Sequence, residues 1–178
     1  MKKLYLVLNY VLVFVIVLLS FELRTALNNL HSKQGYRFAN NGLIYAGRSH
    51  ELYTGIIIDT SNYIATFAVV NGVRNGKFEA YYLDGHFESS GSIVNNKSEG
   101  EWRFFYKNGL LECKGYYFND LPSGYWEMFY ENGKLKSSGE FARGKMIGLW
   151  SFYDKEGNLI NHISFKNGFF KDQIFNES

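Results

Sequence analysis

Between residues 76 and 170, large apolar side chains alternate with polar ones in short runs, each closed by a glycine. That is the pattern of half-buried β-strands joined by tight turns. The runs recur. Glycines stand at 76, 100, 124 and 148 and again at 85, 109, 133 and 157, which fixes a period of 24 residues. Between the two sets lie GKFEAYYLDG, GEWRFFYKNG, GYWEMFYENG and GLWSFYDKEG, followed by HFESSGSIV, LLECKGYYF, KLKSSGEFA and NLINHISFK. Such a period marks a repeat architecture in which each unit buries its apolar face only against its neighbours. Full repeats fall near 76–99, 100–123, 124–147 and 148–170; a degenerate copy begins at Gly55, and a half-copy, NGLIYAGRSHELYTG, precedes it.

Asn108-Gly109 and Asn132-Gly133 read as two-residue hairpin turns of type I′, which need positive φ at both positions, and Asp84-Gly85 serves the same purpose. Folding the second full repeat about Asn108-Gly109 sets Tyr106 against Leu111, Phe104 against Cys113 and Trp102 against Gly115. The next copy sets Tyr130 against Leu135, Met128 against Ser137 and Trp126 against Gly139. A tryptophan over a glycine fills the space the glycine leaves and shields its backbone. These residues share one face with the rows Phe78/Trp102/Trp126/Trp150 and Ile93/Tyr117/Phe141/Phe165, and that face is the expected core. The opposite face carries Lys77, Glu79, Glu101, Arg103, Tyr125 and Glu127, with Glu88, Glu112 and Lys136 on the return strands, and is mostly charged.

One row interrupts the polar face: Tyr81, Phe105, Phe129 and Tyr153 recur at the repeat period. It is a candidate binding stripe, unless strand twist buries the rings against the next hairpin. The expected fold is all-β, an elongated single-layer antiparallel sheet of tandem β-hairpins. The last repeat departs from the pattern, with Asp154 in place of Tyr and Ile163 in place of Gly, as a terminal cap should.

The N-terminus follows another rule. After Lys2 and Lys3, residues 4–21 contain no charge and only Asn9 and Ser20 as clearly polar members. As a helix they span roughly 27 Å, enough for a hydrocarbon core. Residues 1–22 are therefore expected to form a hydrophobic signal-anchor or transmembrane helix, with a cleaved signal peptide as the alternative. The lysines favour a cytoplasmic N-terminus and an extracytoplasmic repeat domain, against the weaker pull of Arg24 and Lys33; cleavage would leave it secreted or periplasmic. Residues 23–41 read as a spacer and 42–178 as the repeat domain.

Composition narrows the function. Aromatics make up 19% of the chain, favouring β-structure, and 18 glycines against a single proline, Pro122, assign the turns to glycine. A net charge of +2 with dispersed Lys and Arg leaves no footprint for nucleic acid. Cys113 has no partner for an intramolecular disulfide and sits where other repeats have Ser89, Ser137 and Asn161, so it is read as a small half-buried residue, not a nucleophile. His31, His50, His86 and His162 lack ligand spacing, and no P-loop, GxSxG or dinucleotide-binding glycine pattern occurs. No catalytic, cofactor or metal residue is assigned, and the expected class is a binding module, not an enzyme.

The unit G-x-W-x-[FM]-[FY]-Y-x-N-G-x-L-x-x-x-G-x-[FY], complete at Gly100 to Phe118 and Gly124 to Ala142, resembles the bacterial variant of the MORN repeat. The lead-in HELYTG is similar to that of YwqK-family antitoxins. The resemblance covers residues 43–170. It implies a platform for a protein partner or for membrane lipid, and the anchor with the slightly basic balance points, for the lipid case, to anionic lipid. The reading is a membrane-anchored module for protein–protein interaction, with peripheral lipid binding or toxin neutralisation by binding as alternatives.

Overall fold

The structure, a computed structural model, describes residues 35–60 and 64–175. The expected N-terminal helix lies outside the described residues; among those described there is no helix. The chain divides into two compact units, Met1–Tyr53 and Thr54–Ser178.

In the first unit, β1 (Tyr36–Phe38) and β2 (Ile44–Ala46) pair antiparallel, so a hairpin begins within the stretch read as spacer. Its turn has the bonds Gly42 N–H to Ala39 C=O (2.9 Å) and Ala39 N–H to Leu43 C=O (3.0 Å), with Gly42 at φ +77°.

The second unit is one 11-stranded antiparallel sheet in strict sequence order. It opens with β3 (Gly55–Asp59) and β4 (Ile64–Val70). Four pairs of longer strands then follow the sequence period: β5 (Val73–Tyr81) with β6 (Phe87–Val94), β7 (Lys97–Phe105) with β8 (Leu111–Phe118), β9 (Leu121–Phe129) with β10 (Leu135–Ala142), and β11 (Lys145–Tyr153) with β12 (Leu159–Lys166). β13 (Phe169–Phe175) closes the sheet. The expected register Phe104↔Cys113, Trp102↔Gly115, Met128↔Ser137 and Trp126↔Gly139 is present.

The turn assignment needs correction. At Asn108-Gly109 the Tyr106 carbonyl accepts from Gly109 N–H (2.9 Å), Tyr106 N–H donates to Leu110 C=O (2.9 Å), and of the loop residues only Gly109 (φ +83°) is left-handed. This is a three-residue loop closed by a left-handed glycine, and the Asn108 side chain stabilises it by accepting from Leu110 N–H at 2.9 Å. The type I′ turns lie instead between repeats, at Asn71-Gly72, Asn95-Asn96, Asn119-Asp120, Arg143-Gly144 and Asn167-Gly168, where both residues have positive φ. The single proline sits beside one of them. Ser98 N–H is accepted by Asp120 Oδ1 (2.6 Å), and Arg74 N–H by Asn96 Oδ1 (2.8 Å). In the next repeat Pro122 has no N–H to satisfy, and Gly144 stands where the accepting side chain would be.

The pairing Tyr106 with Leu111 is also displaced. A bulge at Glu112 sets Leu111 against Phe105, and equivalent bulges set Phe87 against Tyr81, Leu135 against Phe129 and Leu159 against Tyr153. One inserted residue moves the following side chain to the other face of the sheet. The leucines therefore leave the tryptophan face, and the bulged residue Glu88, expected on the polar face, instead lines a cavity with Phe78, Ala80 and Trp102 on the tryptophan face.

The core is that tryptophan face. Trp102, Trp126 and Trp150 are buried, at 7%, 4% and 0% exposure. They alternate with Tyr117 and Phe141 in an edge-to-face ladder: Trp102–Tyr117 5.9 Å, Tyr117–Trp126 5.2 Å, Trp126–Phe141 5.9 Å and Phe141–Trp150 5.0 Å. Each indole covers a glycine, but not its own cross-strand partner, which is Gly115 for Trp102, Gly139 for Trp126 and Ile163 for Trp150. Trp102 lies over Gly91, Trp126 over Gly115 and Trp150 over Gly139, the glycine of the preceding hairpin in each case. The ladder skips these glycines, at the bulge containing left-handed Gly100, Gly124 or Gly148, and each indole N–H donates across the gap to Ser92, Tyr116 or Glu140 C=O at 3.1–3.2 Å.

Tyrosines tie the repeats together at the other end of the strands. Tyr82, Tyr106 and Tyr130 donate their hydroxyls to Phe105, Phe129 and Tyr153 C=O in the next repeat, at 2.9, 2.7 and 2.7 Å. Asn108 and Asn132 add donations to Glu131 and Lys155 C=O at 2.7 and 2.8 Å.

Candidate functional site

With tryptophan, glycine and tyrosine committed to packing, the opposite sheet face is left for recognition. Side chains alternate along each strand, so this face carries Glu101, Arg103 and Phe105 of β7 and their cross-strand partners Tyr116, Lys114 and Leu111 of β8. Its charges are largely paired among themselves: Lys77 with Glu79 (2.6 Å), Arg103 with Glu101 (2.5 Å) and Lys114 with Glu127 (2.7 Å).

The stripe Tyr81, Phe105, Phe129 and Tyr153 lies on this face, and all four rings are half-buried. Each is paired with an apolar residue by the bulge described above. At the first repeats the rings form a row of edge-to-face and tilted contacts, with Tyr81–Phe87 at 5.2 Å and Phe87–Phe105 at 5.1 Å. Much of their surface is thus spent inside the sheet.

Toward the type I′ turns the same face carries apolar residues outside the candidate stripe, of which the sequence pattern placed only Tyr125 here. Tyr116, Phe118, Leu121, Tyr125 and Leu149 are 52%, 61%, 46%, 53% and 51% exposed. Phe118 and Leu121 are direct cross-strand partners. Tyr116 and Tyr125 wall a dimple of about 160 Å³ with Glu101, Lys114 and Glu127 around it. A signal for them existed. In GYYF, residues 115–118, the alternation fails: Tyr116 and Phe118 stand where other repeats have Ser92, Glu140 or Ser164 and Val94, Ala142 or Lys166. Consecutive large apolar residues in a strand oblige some to face outward.

Reactive chemistry is sparse. Burial pushes the Cys113 thiol up to about 11, aided by Glu112, so it stays protonated at neutral pH. Ser151 Oγ and His162 Nδ1 are 2.9 Å apart as cross-strand neighbours. Among the described residues no group of three His, Cys, Asp or Glu gathers as metal ligands would. Likewise, among these residues no helix is long and apolar enough to cross a membrane.

Comparison with known proteins agrees with the repeat geometry. The family model described as the MORN repeat variant matches residues 98–119, 122–142 and 146–167, each segment spanning the outer strand of one hairpin, its turn and the return strand. No curated protein matches the chain.

Proposed function

We propose that this chain, three of whose hairpins match the MORN repeat variant, is a non-enzymatic module that binds another protein through the sheet face opposite the tryptophans, held at a membrane by residues 4–21. One observation carries the reading: Tyr116, Phe118, Leu121, Tyr125 and Leu149 gather on one face where sibling repeats mostly place Ser, Glu or Lys. Exposed apolar clusters rimmed by charge mark interaction surfaces, and tyrosine and phenylalanine anchor them. The paired charges of Glu101, Arg103, Lys114 and Glu127 form the rim, and the stripe extends the face toward the three-residue loops.

The test is site-specific crosslinking in membranes holding the full chain. A photoreactive phenylalanine at Phe118 is expected to capture one discrete protein, lost when Tyr125→Asp is added. The same probe at solvent-exposed Leu83 should capture none. Capture of phospholipid alone at Phe118 would replace the protein reading with lipid binding, and equal capture at both positions would remove the patch from consideration.

A further inference from the structure

We propose that the first full repeat carries, on the tryptophan face, a groove that receives a basic side chain, lysine or arginine, from a binding partner. The groove exists because this repeat is built smaller than its siblings. Phe78 stands where the others have Trp102, Trp126 and Trp150; Ala80 replaces Phe104, Met128 and Phe152; Ile93 replaces Tyr117, Phe141 and Phe165. The side-chain volume missing at these three positions opens a cavity of about 400 Å³ between β5, β6 and β7.

What lines the space gives the chemistry of the occupant. Three rings form its wall, with Phe78 and Trp102 at 5.3 Å and Trp102 and Phe104 at 6.0 Å, and aromatic faces attract cations through the ring quadrupole. Two carboxylates also enter the lining, Glu88 and Asp120. Asp120 Oδ1 is held in place by Ser98 N–H, and Glu88 makes no salt bridge among the described residues. The resident cations are turned to other tasks. Arg74 lines the groove but places its guanidinium over the Phe67 ring of β4 at 6.0 Å, and Lys107 pairs with Asp84 at 3.6 Å while sitting 5.4 Å over Tyr82. Two carboxylates and three rings against one displaced guanidinium leave a site that fits an added positive charge with an alkyl stem. The siblings lack the combination: Lys136 and Ile160 stand where Glu88 does, and the second repeat, which keeps a carboxylate at Glu112, has the space filled by Trp102, Phe104 and Tyr117.

The experiment uses the isotope-labelled full chain in detergent micelles and follows the indole N–H signals of its three tryptophans. Nα-acetyl-lysine methylamide and Nα-acetyl-arginine methylamide are titrated, with Nα-acetyl-glutamate methylamide as the anionic control. The expected result is a saturable shift of the Trp102 signal alone, in the range of about 1–50 mM set by the few contacts of one side chain. The glutamate derivative should bind at least about tenfold more weakly, and Glu88→Gln should weaken the lysine derivative about three- to tenfold, as loss of an opposing charge does. Ala80→Phe, which installs the residue of the next repeat, should abolish the shift while leaving the spectrum folded. No saturable shift with either basic probe overturns the proposal. So do equal binding of the anionic control, an unaltered Ala80→Phe, and a Glu88→Gln variant that binds as the parent does. The groove and the exposed patch lie on opposite faces, so the failure of one leaves the other standing.

Discussion

Gly115→Ala tests the packing of the whole sheet with one methyl group. A Cβ at this position would lie 2.2 Å from Trp126 Cδ2, 2.3 Å from Cε2 and 2.5 Å from Cγ. Carbon atoms pack at about 3.5–4.0 Å, so the nearest indole carbon must retreat by roughly 1.3–1.8 Å. It has little room to do so. Trp126 is 4% exposed, sits 5.2 Å from Tyr117 and 5.9 Å from Phe141, and donates to Tyr116 C=O at 3.2 Å. Overpacking costs about 1–3 kcal/mol and a weakened hydrogen bond about 1 more, giving roughly 2–4 kcal/mol. For a chain of this size that lowers the melting temperature by about 4–16 °C. The assay is thermal unfolding of the full chain in detergent, followed by tryptophan fluorescence. A double-mutant cycle makes it decisive. Gly115→Ala and Trp126→Ala should be strongly non-additive, because removing the ring removes the clash. Gly115→Ala with Trp102→Ala should be closer to additive, although Trp102 is the residue paired with Gly115. An unchanged melting temperature, or coupling to Trp102 in place of Trp126, would refute the assignment of each indole to the preceding glycine.

Two further predictions follow from other parts of the sheet. Tyr106→Phe or Tyr130→Phe removes a hydroxyl bond to the next repeat and should cost about 0.5–1.5 kcal/mol by chemical denaturation; a cost of zero would mean that water replaces the phenol without loss. Cys113 should alkylate with iodoacetamide along a pH profile whose midpoint lies near 11, well above an ordinary thiol, and a midpoint at 9.0 would show that burial does not act on it.

The repeat period and the strand order could be read from the sequence, because glycine spacing and residue alternation survive folding unchanged. The Cα register of Trp102 with Gly115 and of Trp126 with Gly139 followed from the same counting. What counting could not supply was the bulges. Those at Glu112 and its equivalents insert one residue within the 24-residue period, so they are invisible to periodicity, yet they move Leu111, Leu135 and Leu159 to the other face. The separate bulges at Gly100, Gly124 and Gly148 let each indole reach back one hairpin. The turns were exchanged for a related reason. Asn-Gly is compatible with a type I′ turn and also with a loop closed by a left-handed glycine, and the choice depends on strand length between turns, which the bulges set. The exposed patch was obscured by its own composition, since Tyr116 and Phe118 flank core Tyr117 and blend into an apolar run.

Asp154 shows where the coupling between repeats changes character. It occupies the position of Tyr82, Tyr106 and Tyr130, whose hydroxyls each reach into the following repeat. A carboxylate cannot make that donation and instead turns onto its own loop, where Oδ1 accepts from Asn158 N–H at 2.8 Å and Oδ2 from Asn158 Nδ2 at 3.0 Å. The Asn158 side-chain bond, with backbone donors behind it, holds the Asp154 carboxyl below its ordinary value of 3.8. A carboxyl whose pKa is depressed by folding contributes stability that is present above its unfolded pKa and is lost as pH falls through the folded one. The last hairpin should therefore loosen in acid before the two hairpins ahead of it do, because their loops are tied onward by neutral phenols that do not titrate there. The first full hairpin is not a control, since Asp84 in its loop is also held below 3.8 by its bonds to His86. Amide exchange resolved by residue checks this: protection at Asn158 is expected to fall below pH 3.8 while that at Leu110 and Lys134 holds. Asp154→Asn should remove the acid step. If Asn158 and Leu110 lose protection together, the sheet opens as a single unit and the tyrosine ties do not divide it into repeats.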